Sequence, residues 1–159
     1  MTHLMWDDYQ NDLDAPVRWR SKIELAGMTR QGDVNALVPL AKSWEAPAPA
    51  GLDGSGFTGG AFDKAERAYK IRNGTAEARA LKVVLHGSPD SPVLNPCFLI
   101  ENWPEGVPVR LTIAGQTIQP GSAFRQGMEK TTDGRNVLVV WMQLDSTSTV
   151  PILIEPRHD

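Results

Sequence analysis

The segment around Trp103 carries the residue types in this chain that are best suited to binding chemistry. Trp103 follows an apolar run, precedes Pro104, and is flanked by Glu101, Asn102 and Glu105. An indole ring offers a flat surface to the C–H face of a pyranose, while neighbouring carboxylate and amide groups bond to the sugar hydroxyls. The sequence therefore predicts a ligand-binding site made of Trp103, Asn102 and Glu101. The alternative is that the Trp103 ring covers the end of the fold as part of the core.

Residues suited to hydrolytic catalysis are present, but they form no recognised motif. Asp63 with Glu66, Asp90 and Glu101 are candidates for the paired carboxylates of a glycosidase. Nothing in the sequence places two of them ~5 to 10 Å apart across a cleft, and Asp63 could equally cap a turn. The serine of 54–56 (Gly-Ser-Gly) lacks the GxSxG context of a nucleophile elbow. We therefore expect no catalytic residues and no enzymatic activity from this chain alone.

Metal ligands and reactive thiols are equally sparse. His3, His86 and His158 are not spaced as metal ligands, and we expect His86 to end a strand with its ring bonded to a loop carbonyl. Cys97 is the single cysteine, which excludes an internal disulfide, and its apolar neighbours predict a buried, inert thiol. The sequence therefore predicts no metal site and no cofactor.

Charge and hydropathy exclude two classes of partner. The net charge is -3, and Lys and Arg are scattered, whereas nucleic-acid binding needs a basic face. No apolar stretch approaches the ~20 residues that span a bilayer, so we expect no membrane partner. The first residues lack the features of a signal peptide. Two interpretations fit: a cytoplasmic protein, or a piece of a longer exported chain.

The second half of the chain predicts a β scaffold. Short segments that alternate apolar and polar residues are separated by turn signals such as Asn73-Gly74 and Asp133-Gly134. We expect Trp141 and Val139 to be buried in the most apolar strand. The strands are predicted over 67–72, 78–86, 96–102, 107–113, 117–118, 137–144 and 150–155. This spacing predicts a mostly β fold, an antiparallel two-sheet β-sandwich with a short helical N-terminal extension.

The first third of the chain predicts helices followed by a linker. One short helix is expected over 2–13 and another over 33–44, although Pro39 would kink the second or start it later. Trp44, at the end of the second helical stripe, is predicted to be core. Residues 45–60 are rich in Pro, Ala and Gly, which is typical of a linker. The predicted organisation is a helical lead-in over 1–44, a linker over 45–60 with Phe57 and Leu52 as anchors if it is ordered, and a β-sandwich over 61–159.

Two parts of the chain resemble a known class of domain. One is Asn-Pro-Cys-Phe-Leu-Ile-Glu-Asn-Trp at 95–103. The other begins with Val-Arg-Leu-Thr-Ile-Ala-Gly-Gln-Thr-Ile at 109–118 and continues through 120–127 and 136–144. Together, over about residues 60–155, they resemble the C-terminal β-sandwich accessory domains of large bacterial enzymes that act on polysaccharides.

The resemblance implies a non-catalytic module that binds a polysaccharide or oligosaccharide. Its implied partners are that glycan and a catalytic domain of the same parent chain. Two alternatives stay open, a purely structural β-sandwich that buttresses a catalytic domain and a small stand-alone carbohydrate-active enzyme.

Overall fold

The computed structural model describes residues 38–54 and 56–157. The chain divides into two compact units, Met1–Ala41 and Lys42–Asp159, and the first is described only over 38–41. One helix and twelve strands occur in the described residues. They are α1 (Val38–Glu45), β1 (Ala50–Asp53), β2 (Phe57–Asp63), β3 (Ala68–Asn73), β4 (Leu81–His86), β5 (Val93–Leu94), β6 (Cys97–Glu101), β7 (Val109–Ile113), β8 (Gln116–Ile118), β9 (Phe124–Lys130), β10 (Asn136–Met142), β11 (Asp145–Ser146) and β12 (Thr149–Pro156).

The strands of the second unit form a β-sandwich, as the sequence predicts. Sheet A has the order β1-β4-β12-β7-β8, sheet B has the order β2-β3-β6-β10-β9, and β11 pairs with β5 in a small third sheet. The two five-stranded sheets pack face to face and do not close into a barrel. All but one of the strand pairs are antiparallel. The exception is β3 with β6, which are parallel because the chain leaves β3 for sheet A and returns to sheet B in the same direction.

Strands with a single apolar face have the orientation that their alternation predicts. In β4, Leu81, Val83 and Leu85 point inward and are fully buried. In β12, Ile152 and Ile154 do the same against the opposite sheet. Burial of each such side chain stabilises the fold by roughly 1.5–3 kcal/mol, which is enough to determine which face of the strand points inward.

Strand β10 has the opposite orientation to the predicted one. Leu138, Val140 and Met142 face inward and are buried, and Val137 is buried as well, whereas Val139 and Trp141 point outward and are partly exposed. The prediction that Val139 and Trp141 are buried is therefore wrong. Both faces of β10 are apolar, so the strand's own pattern does not determine which face points inward.

The predicted linker contains β1 and the first residues of β2. β1 lies within 45–60 and pairs with β4, and β2 begins there at Phe57. The interpretation of these segments as a linker is wrong, because their backbone groups extend sheet edges that the local composition does not reveal. The predicted anchors are confirmed, since Phe57 is buried and Leu52 packs against the core.

Helix α1 coincides with residues 38–44 of the predicted 33–44 helix, the part of it that the structure describes. Pro39 is the second residue of its described range, and Trp44 is partly buried beneath the guanidinium of Arg67, 3.8 Å from the ring centroid. The predictions for 2–13 and for 33–37 lie outside the described residues. Within the described part of the chain, no helix is long and apolar enough to cross a membrane.

Candidate functional site

Trp103, the centre of the predicted site, lies in the interior. Its ring is 1% exposed, and its Nε1–H donates a hydrogen bond of 2.9 Å to the carbonyl of Val107. The chain turns inward after β6 through Asn102, which has a φ of 63°. A sugar cannot stack on a buried ring, so the prediction of Trp103 as a stacking residue is corrected. Trp103 instead fits the alternative interpretation, in which its ring covers the end of the fold as part of the core.

Asn102 links the ends of β3 and β6 through hydrogen bonds with Asn73. Its Nδ2 donates to the Asn73 carbonyl at 2.9 Å, and the Nδ2 of Asn73 lies 3.4 Å from the Asn102 carbonyl. Asn73 is fully buried, and its remaining hydrogen bonds go to Glu77 and Thr75. These bonds hold the two parallel strands together where no hairpin joins them.

Glu101 points to a different part of the surface. It lies on the outer face of sheet B, and its carboxylate accepts a hydrogen bond of 3.0 Å from Arg135 Nη1. The structure therefore does not bring the three predicted residues into one site. Trp103 lies in the core, Asn102 ties two strand ends together, and Glu101 lies at the margin of a solvent-facing sheet surface.

That outer surface of sheet B carries an apolar strip on its central strands. Trp141 on β10 lies opposite Cys97 on β6, and Val139 lies opposite Leu99. All four side chains are partly exposed. We call Cys97, Leu99, Val139 and Trp141 the outer strip. Their shared position follows from strand geometry, since every second residue of paired strands lies on the same face.

Charged side chains border the outer strip on both sides. On the β9 side, Arg125 lies opposite Trp141, with its guanidinium 5.5 Å from the ring centroid, and Glu129 lies further along the same strand. On the β3 side, Lys70 lies beside Leu99, and Arg72 lies beside Glu101. The surface thus combines an apolar centre with hydrogen-bond donors and acceptors at its margins.

Hydrogen bonds and ion pairs hold the β2–β3 margin in place. Asp63 Oδ1 accepts hydrogen bonds from the backbone N–H groups of Ala65 and Glu66, so Asp63 caps the turn, as one of the two interpretations from sequence held. Lys70 Nζ lies 3.0 Å from Asp63 and 2.9 Å from Glu66. The hydrogen bond from Lys70, followed by those from the turn, lowers the pKa of Asp63, and the two carboxylates raise the pKa of Lys70. Asp63 is therefore ionised at neutral pH, which is opposite to the state that a general acid needs.

The thiol in the outer strip is protonated at neutral pH. Burial, together with the charges of Glu129 and Glu66, raises the pKa of Cys97 to about 11. A thiol in this state is a weak nucleophile and a poor metal ligand. His86 lies exposed at the end of β4, and the described residues contain no cluster of three or more His, Cys, Asp or Glu side chains able to hold a metal ion.

Sequence reasoning missed Trp141 as a surface residue because β10 gave no sign of its orientation. The run Val-Leu-Val-Val-Trp-Met at 137–142 is apolar at every position. Burial of Leu138, Val140 and Met142 follows from the packing of sheet A against that face of sheet B. No local signal in the strand distinguishes its two faces.

Comparisons with protein-family models, with curated proteins and with solved structures found no match to this chain.

Proposed function

We propose that this chain is a non-catalytic accessory module that binds a polysaccharide or oligosaccharide on the outer face of sheet B. Trp141 takes the stacking role that the sequence assigned to Trp103. The observation that carries the proposal is a partly exposed tryptophan on the outer face of sheet B, next to the apolar side chains of Leu99 and Val139.

The chemistry of the surface suits a sugar chain. The indole of Trp141 and the aliphatic groups beside it present an apolar platform for pyranose C–H faces. Arg125 and Glu129 supply a donor and an acceptor at one margin of the platform, and neither forms an ion pair with another described residue. Because the platform is a sheet surface, it suits an extended chain of sugar units lying across the strands.

The outer face of sheet A has a different composition, which favours sheet B as the binding surface. Its central strands expose Lys82, His86 and Thr149 along with Val84 and Leu153. No aromatic side chain lies on the outer face of β4, β7 or β12. Stacking of a sugar ring therefore has a platform on sheet B and none on these strands of sheet A.

Affinity electrophoresis through gels that contain neutral or acidic polysaccharides tests the proposal. We expect at least one glycan to retard the wild-type chain, and Trp141→Ala to weaken binding at least about tenfold, the order of one lost aromatic contact. Leu153→Ala, a partly exposed apolar residue on the outer face of sheet A, is the matched control and should bind like wild type. Equal retardation of wild type and Trp141→Ala would contradict the assignment of the surface.

The outer strip also supports a second candidate, a structural domain that buttresses a catalytic domain. Three of its four members, Cys97, Leu99 and Val139, have no polar group suited to a sugar hydroxyl, and an apolar sheet surface can equally pack against a protein. If no glycan retards the wild-type chain, the binding proposal fails and the structural role becomes the better account.

A further inference from the structure

Among the described residues, strand β9 is an edge strand of sheet B, and its backbone groups have a definite direction. A backbone hydrogen bond lies at each end of its ladder with β10. Gln143 N–H donates to the Ala123 carbonyl at one end, and Thr131 N–H donates to the Arg135 carbonyl at the other. Because the ladder is antiparallel and regular, the odd-numbered residues of β9 direct their backbone groups toward β10. The even-numbered residues Gln126, Met128 and Lys130 therefore direct their N–H and C=O groups away from the sheet.

The edge at β9 carries the charged side chains Arg125, Glu129 and Lys130, one of the devices that protect a sheet edge, but it has no bulge, no proline and no shortening. At the opposite edge of sheet B, β2 is interrupted by a bulge between Gly59 and Ala61. The edge strands of sheet A, β1 and β8, have 4 and 3 residues. In contrast, β9 has 7 residues, pairs without a register shift, and contains no proline. A long, regular edge strand is a template for pairing with another strand.

The sequence of β9 is complementary to itself in an antiparallel arrangement. When a second copy of β9 pairs about a twofold axis at Gly127, Arg125 of each copy lies opposite Glu129 of the other. Arg125 and Glu129 are exposed on the same face, and within the described residues neither has an ion-pair partner. Opposite charges placed directly across an antiparallel pair are stabilising, and this register forms two such pairs.

The residues at and beside the axis fit the same arrangement. A Cβ on Gly127 would meet no atom within 4 Å, so the described fold of one copy does not require glycine there. Met128, one of two exposed large hydrophobic side chains among the described residues, is 39% exposed. In the paired register Met128 lies opposite Gln126 of the second copy, and its outward backbone groups gain hydrogen-bond partners.

We propose that two copies of this chain associate through β9, antiparallel and centred on Gly127, so that their B sheets form one continuous sheet. Two cross-copy pairs of Arg125 with Glu129 determine the register. The outer strips of the two copies then lie on one surface, separated by the paired β9 strands.

Charge reversal at the two positions tests both the association and its register. Sedimentation velocity at low salt should show a concentration-dependent dimer for the wild-type chain. Arg125→Glu and Glu129→Arg should each weaken the dimer about tenfold, because each places two like-charged pairs at the interface. The double variant restores opposite charges across the interface and should return the association constant to within about threefold of wild type.

A disulfide at the axis tests the geometry directly. Residues at a non-hydrogen-bonded antiparallel pair have Cα atoms about 4.5 Å apart, which a disulfide can bridge. With Cys97→Ser as background, Gly127→Cys should form a covalent dimer on mild oxidation. Thr58→Cys, an exposed position on β2 at the opposite edge, is the matched control and should crosslink much more slowly.

These experiments use no glycan, so their outcome is independent of the proposed binding function. A wild-type chain that stays monomeric at millimolar concentration would overturn the dimer, as would Gly127→Cys crosslinking no faster than Thr58→Cys. A dimer that is insensitive to both single charge reversals, or one that the double variant fails to restore, would overturn the β9 register.

Discussion

The two faces of sheet B are built from the same strands and from similar residues, yet they are in different environments. On the inner face, Phe98 and Ile100 of β6 and Val140 of β10 are fully buried against sheet A. On the outer face, Leu99 and Trp141 of the same strands are only partly covered. The inner residues lose nearly all of their contact with water on folding, whereas the outer residues keep part of theirs.

This difference separates stability from binding. Burial of apolar surface inside the sandwich contributes to the folding free energy, while apolar surface left on the outer face can still contribute when a ligand or partner covers it. Substitutions on the two faces of one strand should therefore affect different measurements.

Neighbouring residues of β6 provide the sharpest test. Phe98→Ala should lower the free energy of unfolding by about 3–5 kcal/mol, because it leaves a large cavity in the core. Leu99→Ala, one residue along the strand but on the outer face, should lower it by about 1 kcal/mol or less. Urea denaturation of both variants measures the two values, and equal losses would remove the distinction between the faces.

Two exposed glycines of sheet B differ in how tightly the surrounding backbone constrains them. Gly59 is exposed at the bulge of β2 and has a φ of 98°, and a Cβ there would lie 2.7 Å from the Lys70 carbonyl oxygen. Gly59→Ala should therefore destabilise the fold by about 1–3 kcal/mol.

Gly127→Ala is the matched control for this prediction. Gly127 lies opposite Val139 of the outer face with open space around its Cα, so the substitution should be neutral or stabilising by about 0.5–1 kcal/mol. Thermal unfolding at low micromolar protein, where association contributes little, measures both variants. A loss at Gly127 as large as that at Gly59 would show that the outer face is more constrained than its open surroundings indicate.

Cys97 reports on the outer face without changing the fold. Its pKa is raised from 9.0 to about 11, so at pH 8 its thiolate fraction should be about a hundredfold below that of an unperturbed thiol. Alkylation by iodoacetamide should be correspondingly slow at pH 8 and should accelerate as the pH rises toward 11. A fast reaction at pH 8, as fast as that of a short cysteine peptide, would show that the outer strip is more open to solvent than the structure indicates.

Prediction from sequence succeeds where a strand has one apolar face. β4 and β12 alternate clearly, and their inward residues are those that the alternation predicts. The hairpin between β7 and β8 follows from Ala114-Gly115, both of which have positive φ angles of 48° and 83°. In these segments local pattern and tertiary structure require the same conformation.

Prediction fails where the deciding contacts are distant in sequence. The residues of β1 have weak strand preference and so predict a linker, and only pairing with β4 makes them a strand. The polar neighbours of Trp103 suggested exposure, but the backbone turn at Asn102 directs the ring inward. β10 is apolar on both faces, and its orientation depends on which strands lie beside it.

The sequence by itself determined that the chain forms a β-sandwich, where several of its turns lie, and that an exposed tryptophan would be the best candidate for binding. The tertiary structure alone decided that Trp103 is buried and that Trp141 is partly exposed. Alternation encodes burial only when the two faces of a strand differ, and neither the 137–142 run nor the polar flank of Trp103 contains that difference. The choice between Trp103 and Trp141 is made by the packing of sheet A on sheet B, through contacts that join residues far apart in the chain.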